Sequence, residues 1–151
     1  GGSGSNMAIY AVTDAGVLCM ILREPKTITE NNQIPEILWR MDKWVDLKLK
    51  GGGYCLSMTE EYLCIGGKKG KVRLFKPEVL EFVGNIPAFK SRDGGNPDAY
   101  GCAVAPDSKK VVTLYADRSI VVWDTSDPKG KEIVSLRTLH SHDNAITDIV
   151  H

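Results

Sequence analysis

The stretch Val111–Asp124, VVTLYADRSIVVWD, constrains this chain more than any other. Two runs rich in Val, Ile, Thr and Tyr flank a short polar turn, Asp117-Arg118-Ser119. β-Branched side chains are stiff at χ1 and sit well on a pleated surface, so both runs are expected as strands of one hairpin. The second run closes on Trp123-Asp124. The rest of the chain reads as weaker copies of this hairpin.

In chain order, Ile9–Thr13 and Val17–Leu22 flank Asp14-Ala15-Gly16, a hairpin with a glycine-bearing turn. Arg23–Pro35 is polar, carries two prolines and reads as a loop. Ile37–Leu49 has room for a short helix early on, and Trp44–Leu49 alternates apolar and polar as a strand does. After Gly51-Gly52-Gly53 come a short strand Tyr54–Met58, a second hairpin from Tyr62–Gly66 and Lys71–Phe75, and a strand Val79–Ile86. Pro87–Asp98 is a loop by composition. Tyr100–Ala105 precedes the main hairpin, and Glu132–Leu139 and Ala145–Val150 follow it as strands.

The units repeat. Tyr54, Tyr100 and Ala145 open equivalent strands 46 and 45 positions apart. Asp117 precedes Trp123 by six positions, as Asp14 precedes Met20 and Lys69 precedes Phe75. Regular short strands with this period give an all-β repeat protein. The Trp-Asp hairpin within such a repeat resembles the WD-repeat β-propeller family, whose blades are four-stranded antiparallel sheets. The runs IYAVTDAGVLCMI, KWVDLKL, YCLSMTEEYLCIGGKKGKVRLF and DRSIVVWDTSDP are similar to one subfamily in particular. It comprises the large scaffolds that include mitogen-activated protein kinase-binding and microcephaly-associated centrosomal members. The agreement covers most of Ile9–Asp127 and lapses in Arg23–Ile37 and around Lys90–Asp98.

This resemblance implies three blades of a larger propeller. Residues 7–50 would supply three strands of one blade, 51–88 and 99–140 a full blade each, and 141–151 the first strand of a next or closing blade. Residues 1–6 open with GGSGS, a flexible linker set aside from the fold. The family's blades carry a buried hydrogen-bonded tetrad. Here it would use Thr113, Asp117, Trp123 and, at the start of the following unit, His142. An indole N–H shut away from water needs an acceptor, and a threonine hydroxyl is one. Asp98-Ala99 precedes the Trp123 unit where the family has a histidine, so that unit's tetrad is incomplete.

The function implied is a non-enzymatic protein-interaction scaffold, cytoplasmic, with kinase-signalling, cytoskeletal or centrosomal partners. The alternatives are a nucleic-acid-binding propeller and a piece of an all-β enzyme. Nineteen basic and nineteen acidic residues cancel, which disfavours a nucleic-acid binder driven by a strong basic field. Against an enzyme, no nucleophile–base or paired-carboxylate constellation is visible, and no catalytic residue or cofactor is assigned. No apolar run approaches the roughly 20 residues that span a bilayer, and no secretory signal is read.

Several residues carry a second reading. Gly66–Lys71, GGKKGK, lacks the spacing and terminal hydroxyl of a phosphate loop and leads into a strand, so it reads as a hairpin turn. Its Lys68, Lys69 and Lys71, with Arg73, would make a basic patch for an acidic partner, and Trp39 is a further candidate contact. Trp44 reads as core. Cys19, Cys55, Cys64 and Cys102 sit in apolar runs without zinc-ligand spacing and read as buried thiols. His140 and His142 would share one face of a strand, yet no metal is assigned. Finally, Ala145–Val150 has no blade behind it. Pairing it with Ile9–Thr13 of a second copy would give a homodimer closing a six-bladed ring.

Overall fold

A computed structural model describes residues 7–25 and 37–140. They form three antiparallel sheets. The first holds β1 (Met7–Val12), β2 (Val17–Pro25) and β3 (Ile37–Asp46) in that order. The second holds β4 (Gly53–Met58), β5 (Leu63–Gly67), β6 (Val72–Lys76) and β7 (Glu81–Ile86), again in chain order. The third holds β8 (Ala99–Val104), β9 (Lys110–Tyr115), β10 (Ser119–Asp124) and β11 (Ser135–His140). The one helical element among the described residues is a 3₁₀ turn, Lys68–Gly70.

Each central hairpin turns through a left-handed residue: Gly16 (φ +79°), Gly70 (φ +71°) and Arg118 (φ +68°). At Arg118 a side chain is tolerated because Asp117 Oδ1 accepts from the Ser119 N–H at 2.9 Å and Arg118 N–H donates to Tyr115 O at 3.0 Å. These residues align the repeats. Five positions on stand Ile21, Phe75 and Trp123. The six-position count from Asp14 instead selects Met20, and the packing corrects it. Phe75 and Trp123 each pack toward the preceding sheet, whereas Met20 packs toward the following one. The first turn is one residue longer before its left-handed glycine, so the aspartate count slips by one and changes faces.

Two apolar cores separate the sheets. Leu18 and Met20 of the first sheet meet Leu63, Ile65 and Phe75 of the second. Cys64, Val72 and Leu74, on the other side of the second sheet, meet Val111, Val121 and Trp123 of the third. Every residue of β5 is therefore buried, because it has a neighbour on both faces. The innermost strands β4 and β8 lie against one another, as they do in adjacent propeller blades. They are tied by Val104 N–H to Ser57 Oγ (3.0 Å) and by the Thr59–Ser108 hydroxyl pair (2.7 Å).

Two readings of residues 37–49 are corrected. No helix forms there: Ile37–Asp46 is one long strand paired to β2. The strand also stops at Asp46, so Leu47 and Leu49 are buried from a loop rather than from Trp44–Leu49 as a strand. The polar edge residues Arg40 and Glu24, joined at 2.6 Å, support this long pairing. Ala145–Val150, and the pairing expected of it, lie outside the described residues.

Candidate functional site

The third sheet carries a buried polar network. Trp123 Nε1–H donates to Thr113 Oγ1 at 2.8 Å, diagonally across the β9–β10 pair in which Thr113 faces Val121 and Trp123 faces Val111, and Thr113 is fully buried. The Thr125 hydroxyl donates to Ser108 O at 3.1 Å, and Ser119 Oγ meets His140 Nδ1 at 2.9 Å. Beside the Trp–Thr pair lies Tyr115, its ring stacked on Phe89 at 4.8 Å. Burial pushes its phenol up, and Thr113 and Trp123 pull the other way without completing a hydrogen bond. Its hydroxyl has no partner among the described residues. Of the four expected tetrad residues, Thr113 and Trp123 are brought together. Asp117 holds its own turn, and His142 lies outside the described residues.

Among the described residues no three His, Cys, Asp or Glu side chains converge as metal ligands. Contact with Cys102 and burial push the Cys55 thiol well above its usual range. Cys102 is pulled down by Cys55, but Cys64 and burial outweigh that and raise it. Thiols held protonated are poor nucleophiles.

The loops differ in their balance of charge. At one end of the sheets lie the turns after β1, β5 and β9 and the loops before β4 and β8; there Lys48, Lys50, Lys68, Lys69, Lys71, Lys90, Arg92 and Arg118 outnumber Asp14, Asp93, Asp98 and Asp117. At the opposite end, among the described residues, Glu60, Glu61, Glu78, Asp107, Asp127 and Glu132 outnumber Lys109, Lys129 and Lys131. The chain is neutral as a whole while its two ends lean to opposite charge, which composition cannot show. Lys68, Lys69 and Lys71 are all exposed at the basic end. Arg73 is not free alongside them: Nε donates to Leu47 O (2.8 Å), Nη1 to Asn85 Oδ1 (2.8 Å) and Nη2 to Lys48 O (3.4 Å). It ties the second sheet to the loop that enters it.

Trp44 is corrected from core to surface, at 64% exposed, with Trp39 at 51% on the same strand. Cys19 pairs with Trp44, Ile21 with Met41 and Arg23 with Trp39. All these side chains share the face of the first sheet that points away from the second. Alternation alone could not say which face that is.

No family model matches the chain. It is 34% identical over 119 residues to mitogen-activated protein kinase-binding protein 1 of Mus musculus, covering 67% of this chain and 8% of that protein. It is 24% identical over 105 residues to WD repeat-containing protein 62 of Sus scrofa, covering 58% of this chain and 7% of that one. Among solved structures it resembles the RRP9 WD40 repeats, with a TM-score of 0.62 at 14% identity over 91% of this chain and 36% of that one. A chain of the mitotic checkpoint complex gives 0.56 at 12% identity over 93% and 38%. The chain thus spans under a tenth of the length of the relatives it matches and over a third of each solved propeller chain. By fold and by sequence together, it is a run of WD-repeat β-propeller blades of the subfamily that includes mitogen-activated protein kinase-binding protein 1 and WD repeat-containing protein 62.

Proposed function

We propose that these blades act as a non-enzymatic interaction scaffold, cytoplasmic, for kinase-signalling or cytoskeletal and centrosomal proteins. The observation that carries the reading is the separation of roles within the fold. Buried cores and the Trp123–Thr113 bond fix the sheets, while exposed loops at two oppositely charged ends are left to recognise partners. The name of the murine relative supplies the kinase class. Lys68, Lys69, Lys71 and Trp39 are the contacts proposed on this chain. Titrating purified MAP kinase and, separately, tubulin into the chain tests it. Saturable binding to one of them, lost in Lys68→Glu/Lys69→Glu, is expected; absence of binding to both overturns the partner assignment.

A second copy of the chain fits the two outer faces. The face that Phe75 and Trp123 bury against a preceding sheet is bare on the first sheet, where Ile9, Met41, Trp39 and Trp44 stand exposed. The outer face of the third sheet presents Val112, Leu114 and Val122. Head-to-tail stacking of two copies would cover both kinds of face and give six blades, within the roughly four to eight that propellers use. Light scattering across a concentration series tests this: a dimer is expected, and a monomer throughout overturns it.

A further inference from the structure

Tyr54 and Tyr100 occupy equivalent places, each the second residue of the innermost strand of its sheet. Each sits at a break in register. Gly53 pairs with Gly67 and Cys55 with the adjacent Gly66, so Tyr54 is the extra residue. Ala99 pairs with Tyr115 and Gly101 with the adjacent Leu114, so Tyr100 is extra in the same way. A bulge bends its strand and re-aims the side chain of the added residue. Here the two rings meet across the gap between sheets, centroids 5.0 Å apart and planes within 16°. They remain 40% and 56% exposed. Two sheets thus use the same backbone device to lift an aromatic ring out of the ladder and stack the pair in solvent.

The pair stands at the basic end. The Lys68–Gly70 turn packs against β8, and the Lys69 N–H donates to Asp98 Oδ1 at 2.7 Å, two residues before Tyr100. On the other side, the Lys68 stem lies over Gly51, three residues before Tyr54. Lys50, Lys68, Lys69 and Lys71 are exposed with no carboxylate partner among the described residues, while Lys48 pairs with Asp46 at 3.2 Å. Gly52 and Gly53 leave no space for a Cβ, the first against the Asp14 backbone and the second against the Val12 and Ile65 side chains.

We propose that Tyr54 and Tyr100, flanked by Lys50, Lys68, Lys69 and Lys71, dock an acidic peptide segment of a protein partner. Lysine ammonium groups and phenolic hydroxyls both donate to carboxylates, and the stacked rings offer a rigid apolar step at low entropic cost. Single-stranded nucleic acid fits less well. Rings already stacked at 5.0 Å leave no slot for a base between them. The site rests on the scaffold reading and names one partner chemistry for it.

The test is fluorescence anisotropy with a labelled glutamate-rich decapeptide and, in parallel, a labelled oligouridine. Tyr54→Ala/Tyr100→Ala should weaken peptide binding about tenfold, as loss of an aromatic anchor does. Lys68→Glu/Lys69→Glu should weaken it at least as much and flatten its salt dependence. Lys129→Glu/Lys131→Glu, at the acidic end, should change nothing. Tyr54→Phe/Tyr100→Phe keeps the stack and guards against loss by misfolding, and thermal melts of all variants accompany the titrations. No peptide binding at low salt, equal loss from the opposite-end variant, or tighter binding of oligouridine with the same variant pattern would each overturn the site. Kinase or tubulin binding that survives Tyr54→Ala/Tyr100→Ala would remove the site and leave the scaffold reading standing.

Discussion

The third and first sheets share a hairpin plan and solve the burial of its central position differently. In the third, Trp123 fills that position and is buried against the second sheet, with its N–H satisfied by a fully buried threonine. In the first, Ile21 fills it and faces outward beside Cys19, Met41 and Trp44. The polar lock follows the residue that is buried: an indole N–H shut away from water needs an acceptor, whereas Phe75, covered in the equivalent place of the second sheet, has no donor to satisfy.

The largest test of this contrast is truncation at the equivalent positions. Trp123→Ala should destabilise by about 3–5 kcal/mol, whereas Ile21→Ala should cost well under about 2 kcal/mol because its surroundings are open. Denaturant melts of the two variants decide it; equal losses would mean the first sheet is as enclosed as the third. Thr113→Val comes next. It keeps the shape and strands the indole N–H, so a loss of about 1–3 kcal/mol is expected. A neutral result would show that the hydrogen bond contributes nothing beyond packing. Tyr115→Phe should go the other way. Removing a buried hydroxyl that lacks a partner among the described residues should stabilise by about 1 kcal/mol, and a destabilised variant would reveal a partner for that oxygen.

Much of this was readable in the residues. Val111–Asp124 declared its hairpin through β-branching and a polar turn, and the 46-residue interval between Tyr54 and Tyr100 gave the repeat. What was not readable depended on partners distant in sequence. Trp44 looks like core because it alternates with polar residues, yet which face a strand buries is set by what packs on it. Arg73 looks like a surface cation until the fold brings the carbonyls of Leu47 and Lys48 to it. The Tyr54–Tyr100 stack needs two bulges in separate sheets, and no local pattern announces a bulge. Long β pairing suppressed the helix that Ile37–Leu49 allowed, since nine of the ten residues of β3 pair with β2 and only Asp42 is passed over at a bulge.

The surface position Trp44 gives a smaller effect on folding. With 64% of it exposed, Trp44→Ala should change stability by no more than about 0.5 kcal/mol. It should instead shift any self-association seen by light scattering toward monomer. A loss of stability as large as that of Trp123→Ala, independent of protein concentration, would place Trp44 in the core of a single chain.

The smallest effect separates the sheets by how they hold their loops. In the first sheet, Glu24 is drawn below the usual carboxylate range by its hydrogen bond to Arg40 on the neighbouring strand. In the third, Asp124 accepts from the Ser126 hydroxyl at 2.6 Å and the Ser126 N–H at 2.9 Å, and pairs with Lys131 at 3.2 Å, which hold it at about 2. A carboxylate depressed in the folded state stabilises that state above its unfolded value, and the contribution fades as pH falls through the folded one. The loop after β10 should therefore stay ordered from neutral pH down to about 4 and loosen progressively toward 2. Carboxyl-carbon NMR titration should find Asp124 half-protonated near 2, with the Ser126 amide shift following the same curve. Asp124→Asn should remove that inflection, and high salt should move it little, since hydroxyl and backbone bonds dominate over Lys131. In the first sheet the ion pair dominates, so salt should raise the Glu24 midpoint visibly. An Asp124 midpoint at the ordinary aspartate value, or one as salt-sensitive as that of Glu24, would erase the distinction between the two sheets.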